Sequence, residues 1–167
     1  GARVVVQRTS MAISTRTDDS GANAFSLVRM LVPTAEMPID ERFRAIQAAT
    51  DDAVEQSRSA SLDALAAFAS TLPTSIVTRL ARQQAHTVDF ATSNVKGSPV
   101  AMYLAGAQLM SNYAVGPLSG VAFNLTLLSY LGRLDMGLNT DRAAVTEPAL
   151  LSRFIADAVD DLVRYVD

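Results

Sequence analysis

The stretch Thr92-Ser93-Asn94-Val95-Lys96-Gly97-Ser98-Pro99 divides the chain into two chemically different parts. From Gly97 to Gly132 there is no Asp, Glu, Lys or Arg, although such residues make up 19% of the whole. A gap of that length implies a run mostly removed from water. Just before it, Thr87 to Asn94 combines β-branched and aromatic residues and predicts a strand. Gly97 and Pro99 end that strand. Late in the gap, Val121 to Tyr130 and Leu131 to Leu138 predict two strands joined through Tyr130-Leu131-Gly132. These strands are expected in the middle of a sheet, with the polar groups along them lining something.

Length and composition narrow the class. A chain of 167 residues is one domain, 1–167, with enough core to fold alone. Its net charge of −3 gives no electrostatic case for nucleic acid. Without cysteine there are no disulfides and no thiolate metal sites, which fits a cytosolic protein. The run Ala2 to Arg8 is too short for a signal peptide. Pro99, Gly106, Gln108, Pro117 and Asn124 interrupt the charge-free run, whereas a spanning helix needs ~20 predominantly apolar residues in a row. A buried or lipid-facing sheet is the better reading. Nucleotide-loop, dinucleotide and zinc spacings are missing: Gly116-Pro-Leu-Ser-Gly120 lacks the lysine of a phosphate loop. The acidic pairs Asp18-Asp19, Asp51-Asp52 and Asp160-Asp161 read as solvated.

Read in order, Arg3 to Gln7 and Met11 to Ser14 predict one strand or two short ones, and Thr17 to Gly21 a turn. Ala24 to Val32 predicts a strand closed by Pro33. Asp40 reads as an N-cap of a helix ending near Ser57, with Phe43, Ile46, Thr50, Ala53 and Val54 inward. Two more helices follow, one capped by Ser61 and one after Pro73. Gln108 to Val115 predicts another strand. Thr146 reads as the cap of a last helix, with Pro148 in its first turn and Asp160 paired with Arg164. Its apolar stripe is Leu151, Phe154, Ile155, Val159, Leu162 and Val166. The expected fold is α/β: a layered mixed β-sheet with helices.

A family resemblance rests on named residues in order. Ser93-Asn94-Val95, Gly97 and Pro99, Leu104-Ala-Gly106, Gly116-Pro117-Leu118, Asn124-Leu-Thr, Ser129-Tyr130-Leu-Gly132-Arg133-Leu134, Gly137-Leu138 and Asp141-Arg142 carry it, with Ile13 to Arg16, Asn23 and Val32-Pro33 upstream. In that order and spacing the chain resembles the C-terminal domain of the bacterial wax ester synthase/diacylglycerol acyltransferase family. It departs from the family at Lys96 and Ala12, where proline is common. The resemblance implies one half of a chloramphenicol-acetyltransferase-like CoA-dependent acyltransferase fold, with the active site in a channel between two similar halves. It also implies a partner, the N-terminal catalytic half, whose motif HHxxxDG supplies the general base. That motif is absent here. The single histidine, His86, has no second histidine beside it and reads as a helix-end or surface residue. No catalytic residue, metal site or cofactor is therefore expected in this chain, with acyl-CoA as a substrate. The acceptor is a diacylglycerol or a long-chain alcohol, and the expected location is cytoplasmic, peripheral to a membrane or lipid inclusions.

Five residues are candidates for lining the channel. Asn94, with Ser93 beside it, offers an amide donor near the acyl carbonyl or the acceptor hydroxyl. The alternative is that Asn94 ends a strand and organises the turn to Pro99. Asn124 and Thr126 share one face of a strand and Ser129 lies on the other. Either that face lines a tunnel or the side chains are satisfied inside the sheet. Tyr130 and Gly132 shape a bend, and Asp141-Arg142 forms a loop ion pair or cap. Arg16 is a weak candidate for a CoA phosphate. Two functions compete: part of an O-acyltransferase, or a non-catalytic acyltransferase-like module presenting a surface to lipid or to a partner. The charge-free run is too long for one small core to hide, so an exposed apolar surface is expected where the other half docks.

Overall fold

The computed structural model describes residues 6–14, 25–59 and 88–166. The expected turn at Thr17 to Gly21, the two helices after Ser61 and Pro73, and His86 and Arg16 lie outside them. The described residues form a mixed α/β structure. Seven strands and two helices are assigned among them: β1 (Val6–Ser14), β2 (Phe25–Pro33), α1 (Ile39–Ser59), β3 (Phe90–Lys96), β4 (Tyr103–Leu104), β5 (Ala107–Gln108), β6 (Phe123–Tyr130), β7 (Arg133–Thr140) and α2 (Pro148–Val166).

Five strands make one sheet in the order β2-β1-β3-β6-β7. β1, β3 and β6 run parallel, while β2 and β7 flank them antiparallel. β3 is the central strand. β7 is an edge strand, which corrects the expectation that both strands of its hairpin lie in the middle. β6 and β7 meet at a two-residue turn, Leu131-Gly132, with both φ positive at 49° and 76°. That is the turn whose twist matches a hairpin, and glycine suits its second position. β4 and β5 form a second small hairpin with the same geometry at Ala105-Gly106.

One face of the sheet is apolar at β2, where Val28 and Met30 meet α1. Val28 is 4% and Ala53 of α1 is 6% exposed. The Thr50 hydroxyl, which donates to the Ile46 carbonyl at 2.8 Å, also reaches the Met30 sulfur at 3.6 Å. On the same face the Phe90 and Phe123 rings stack at 4.8 Å. Phe43, expected to point inward, is 44% exposed and touches the Tyr165 ring of α2 at 6.2 Å.

Several helix details shift by one or two residues. The first bond of α1 runs from the Arg42 N–H to the Pro38 carbonyl, so Asp40 lies inside the helix and pairs with Arg44 at 3.0 Å. The Glu147 carbonyl accepts the first bonds of α2, which moves the cap from Thr146 to Glu147 and leaves Pro148 in the first turn. Arg164 pairs with Asp161 at 2.9 Å instead of Asp160. Asp141 caps a turn by accepting the Ala143 N–H at 2.9 Å.

The connection from β3 to β6 positions the site. Parallel neighbours need a return path across the sheet, which is usually a helix. Here residues 97–122 make it. After the β4–β5 hairpin, residues 109–118 carry no ladder of their own, so the predicted Gln108 to Val115 strand is reduced to Ala107–Gln108. The segment runs extended, but it meets the side chains of the sheet instead of another backbone.

Candidate functional site

Four successive inward positions of β7 hold the crossing arm in register. The Arg133 guanidinium donates to the Met110 carbonyl. The Asp135 carboxylate accepts the Asn112 N–H at 2.8 Å. Gly137 passes so close to the Ala114 carbonyl that a Cβ there would collide with it. The Asn139 amide donates to the Gly116 carbonyl at 3.0 Å. Positions 133, 135, 137 and 139 thus answer 110, 112, 114 and 116. This two-residue step is the strand period applied to a second extended chain lying on the sheet face.

β6 adds to the same clamp. Asn124 donates through Nδ2 to the Pro117 carbonyl at 3.1 Å, and its Oδ1 accepts the Thr126 hydroxyl at 2.8 Å. Both residues are buried, at 7% and 5% exposure. The Asn124 amide leaves no room for a side chain at Gly116. The Tyr130 hydroxyl donates to the Leu109 carbonyl at 2.8 Å and accepts the Met102 N–H at 3.0 Å. An extended segment without a ladder must find partners for its buried backbone groups, and the polar row of β6 and β7 supplies them.

The sequence candidates separate into two groups. Ser93 lies opposite Thr126 on one side and Ala12 on the other, so it belongs to the face that carries Asn124 and Thr126. It is half-buried, beyond the row that grips the arm. Asn94 and Ser129 lie on the other face. The Ser129 hydroxyl accepts the Gly97 N–H at 3.2 Å, and the Ser98 hydroxyl bonds both the N–H and the carbonyl of Val100. These two serines organise the turn after β3. The strand runs on to Lys96, so Asn94 does not end it. Asn94 is exposed near the carboxyl ends of the parallel strands.

Asp135 and Asn139 are site-shaping residues that the strand reading passed over. Their signal is present in Arg133-x-Asp135-x-Gly137-x-Asn139, a polar alternation of period two. At the other end of the sheet, Asp89 receives the Arg8 N–H at 2.8 Å and its guanidinium at 3.0 Å. Those bonds, the guanidinium first, hold the Asp89 carboxyl below its usual range against a smaller opposing effect of burial. A cavity of ≈ 600 Å³ opens nearby, lined by Arg8, Thr9, Met30, Leu31, Ala53 and Val88 among others. None of the five channel candidates lines it. Among the described residues no cluster of His, Cys, Asp and Glu could hold a metal ion, and no helix is long and apolar enough to cross a membrane.

The charge-free run is divided in its exposure. β6 is buried or half-buried along its length, but between Val100 and Val115 every large apolar side chain except the half-buried Leu109 is open to solvent, with Leu104 78% and Val115 68% exposed.

Comparison with known proteins covers nearly the whole chain. The family described as WS/DGAT C-terminal domain matches residues 21–163. Two proteins of Mycobacterium tuberculosis H37Rv, each described as "Putative diacylglycerol O-acyltransferase", are 27% identical over 146 residues and 28% identical over 153 residues. In both cases 87% of this chain is covered, but only 30% and 31% of the relative. The solved wax ester synthase/diacylglycerol acyltransferase from Marinobacter aquaeolei VT8 has the same fold over 93% of this chain and 36% of its own, with a TM-score of 0.63 at 18% identity. The chain thus spans about a third of the proteins it resembles.

Proposed function

Because the chain belongs to the WS/DGAT C-terminal domain family, we propose that it is the C-terminal part of an O-acyltransferase that moves a fatty acyl group from acyl-CoA to diacylglycerol or a long-chain alcohol. The observation that carries this reading is the placement of Asn94. It exposes an amide at the carboxyl end of the central strand, where open α/β sheets present groups to ligands.

Acyl transfer from a thioester to a hydroxyl requires a base for the hydroxyl proton and donors for the oxyanion that forms on the carbonyl. The base belongs to the N-terminal half, since the one histidine of this chain lacks the paired motif. Asn94 supplies a donor, through its Nδ2, to the acyl carbonyl oxygen or the acceptor hydroxyl. Ser93, on the opposite face of β3 from Asn94, is a second candidate for the channel wall, and Arg16, outside the described residues, is the candidate for a CoA phosphate. Asn124 and Thr126 shape the channel wall by fixing the arm, and Ser129 by fixing the turn after β3. The N-terminal half closes over the part of the sheet face that the arm leaves open.

The test is Asn94→Ala in the full-length protein, with turnover and melting temperature measured on one preparation. Loss of a positioned oxyanion donor lowers turnover by ~10²-fold or more, with the melting temperature unchanged because the side chain is exposed. A destabilised but fully active variant would return Asn94 to the scaffold. The isolated chain is expected to give no turnover in the same assay.

A further inference from the structure

Tyr130, the last residue of β6, is buried at 2% exposure, and its hydroxyl occupies a place where a backbone bond is due. β4 and β5 pair Tyr103 with Gln108 and Leu104 with Ala107, which puts Met102 opposite Leu109 as the next pair. Counted from the two-residue turn, that pair is of the kind that exchanges two N–H···O bonds. One is made: the Leu109 N–H donates to the Met102 carbonyl at 2.8 Å. The other is split. The Met102 N–H donates to the Tyr130 hydroxyl at 3.0 Å, and that hydroxyl donates to the Leu109 carbonyl at 2.8 Å. An oxygen from the sheet is thus inserted into the base of the small hairpin, and the ladder stops there.

The same end of β6 holds the loop that leaves β3. The Ser129 hydroxyl accepts the Gly97 N–H at 3.2 Å, and the Leu131 N–H donates to the Ser98 carbonyl at 3.2 Å. Gly97 runs so close to the Ser129 carbonyl that a Cβ there would collide with it. Ser129, Tyr130 and Leu131 therefore fix Gly97, Met102 and Ser98, and of the three only Tyr130 reaches the hairpin. β3 and β6 run parallel, so this is the carboxyl end of both strands. Ligands of open α/β sheets bind outside such ends.

We propose that Tyr130 is a positioning residue for acyl transfer: its inserted hydroxyl holds the β4–β5 hairpin and the loop after Asn94 in one place at the substrate end of the sheet. The proposal rests on the reading of that end as the site of acyl transfer. Its physical basis is that the hydroxyl can be removed without leaving orphans. Deleting one partner of a buried bond is costly when the other is left unsatisfied. Here the Met102 N–H and the Leu109 carbonyl share one oxygen, and without it they become partners for each other as an ordinary ladder pair. The hydroxyl therefore adds little to stability. What it supplies is attachment, because a hairpin closed on itself no longer has a tie to β6. A hydroxyl that served only to satisfy a buried donor would behave in the opposite way.

The test is Tyr130→Phe in the full-length protein, which removes one oxygen and keeps the ring. The melting temperature is expected to stay within about 2 °C. Hydrogen exchange over residues 99–109 should rise by about ten-fold, since the hairpin opens locally once untied. Turnover, kcat, should fall by about ten-fold or more at an unchanged KM for acyl-CoA, because a small misplacement at the reacting end acts on the chemical step. Unchanged kcat or unchanged exchange would overturn the proposal. So would a fall of more than about 5 °C in melting temperature, because the hydroxyl would then serve stability. Asn94→Ala separates this proposal from the reading beneath it. An impaired Asn94→Ala beside a fully active Tyr130→Phe overturns the role of Tyr130 and leaves the reading standing. A fully active Asn94→Ala removes Asn94 as a donor, and lost turnover in Tyr130→Phe at constant melting temperature would still support the tie.

Discussion

One face of the sheet carries two halves of unlike chemistry. β6 and β7 present Asn124, Thr126, Asp135 and Asn139, and three of these, Asn124, Thr126 and Asp135, are less than 9% exposed. β2 presents Leu27 and Leu31 on the same face, at 62% and 57% exposure. The usual rule is inverted: polar strand residues are covered and apolar ones are open. What covers each half accounts for it. A crossing backbone lies over β6 and β7, and a backbone needs hydrogen-bond partners. In the reading developed above, the cover for β2 comes from the rest of the protein, whose packed surface calls for apolar contact. The polarity of a strand face thus reports the chemistry of its cover, and water is only one possible cover.

The most severe way to break the comparison is to wedge the covered half apart. Gly137→Val places a side chain where the Ala114 carbonyl runs and is expected to cost about 3 kcal/mol through overpacking. The thermal midpoint should fall, and proteolysis should begin to cut within residues 109–118. Removing a clamp without adding bulk comes next. Asn124→Ala strands the Pro117 carbonyl and the Thr126 hydroxyl, for a loss of about 2 kcal/mol in denaturant titration. Asn139→Ala, at a half-buried site with one bond to Gly116, should lose about half as much. Equal losses would mean that burial does not set the strength of the clamp.

The open half should respond differently. Leu31→Thr removes an exposed leucine from β2, and the isolated chain is expected to keep its stability within about 0.5 kcal/mol. The same change in the full-length protein should be clearly destabilising if that half is covered there. A large loss in the isolated chain would erase the contrast between the halves.

The smallest effect concerns the Arg8–Asp89 link, which starts the pairing of β1 with β3. Arg8 lowers the Asp89 pKa in the folded state. The link therefore contributes stability above the unfolded carboxylate value of about 3.9, and that contribution is lost as pH falls through the lower folded value. Both side chains are well exposed, at 55% and 39%, so the contribution stays under about 1 kcal/mol and weakens with salt. Asp89→Asn should flatten the acid limb of a stability–pH profile by no more than that.

The hairpin of β6 and β7 could be read directly, because Leu131-Gly132 sits between two apolar runs and few turns accept that sequence. The strand around Ser93 and Asn94 could be read as well, although it begins at Phe90 and ends two residues past Asn94. Errors fell where neighbouring positions are nearly equivalent. Asp160 and Asp161 both lie within a turn of Arg164, and only the packed geometry selects Asp161. Gln108 to Val115 looked like a strand because it is extended, and extended chain carries the same residues whether or not a ladder forms. The clamp residues Asp135 and Asn139 showed a period of two, but nothing local says what such a row faces.

The sequence by itself determined the class and most of the described elements: a mixed α/β chain with a glycine-turned hairpin, a charge-free run and no paired histidines. Those features depend on local conformational preference and on composition, which neighbours along the chain express. The tertiary structure decided which strands are central, that the crossing lies on the sheet as an arm, and that Asn124 and Thr126 grip it while Ser93 and Asn94 stay on opposite faces of β3. Those outcomes depend on pairing between segments far apart in the chain. A register shift of one residue would have turned every one of these side chains to the other face.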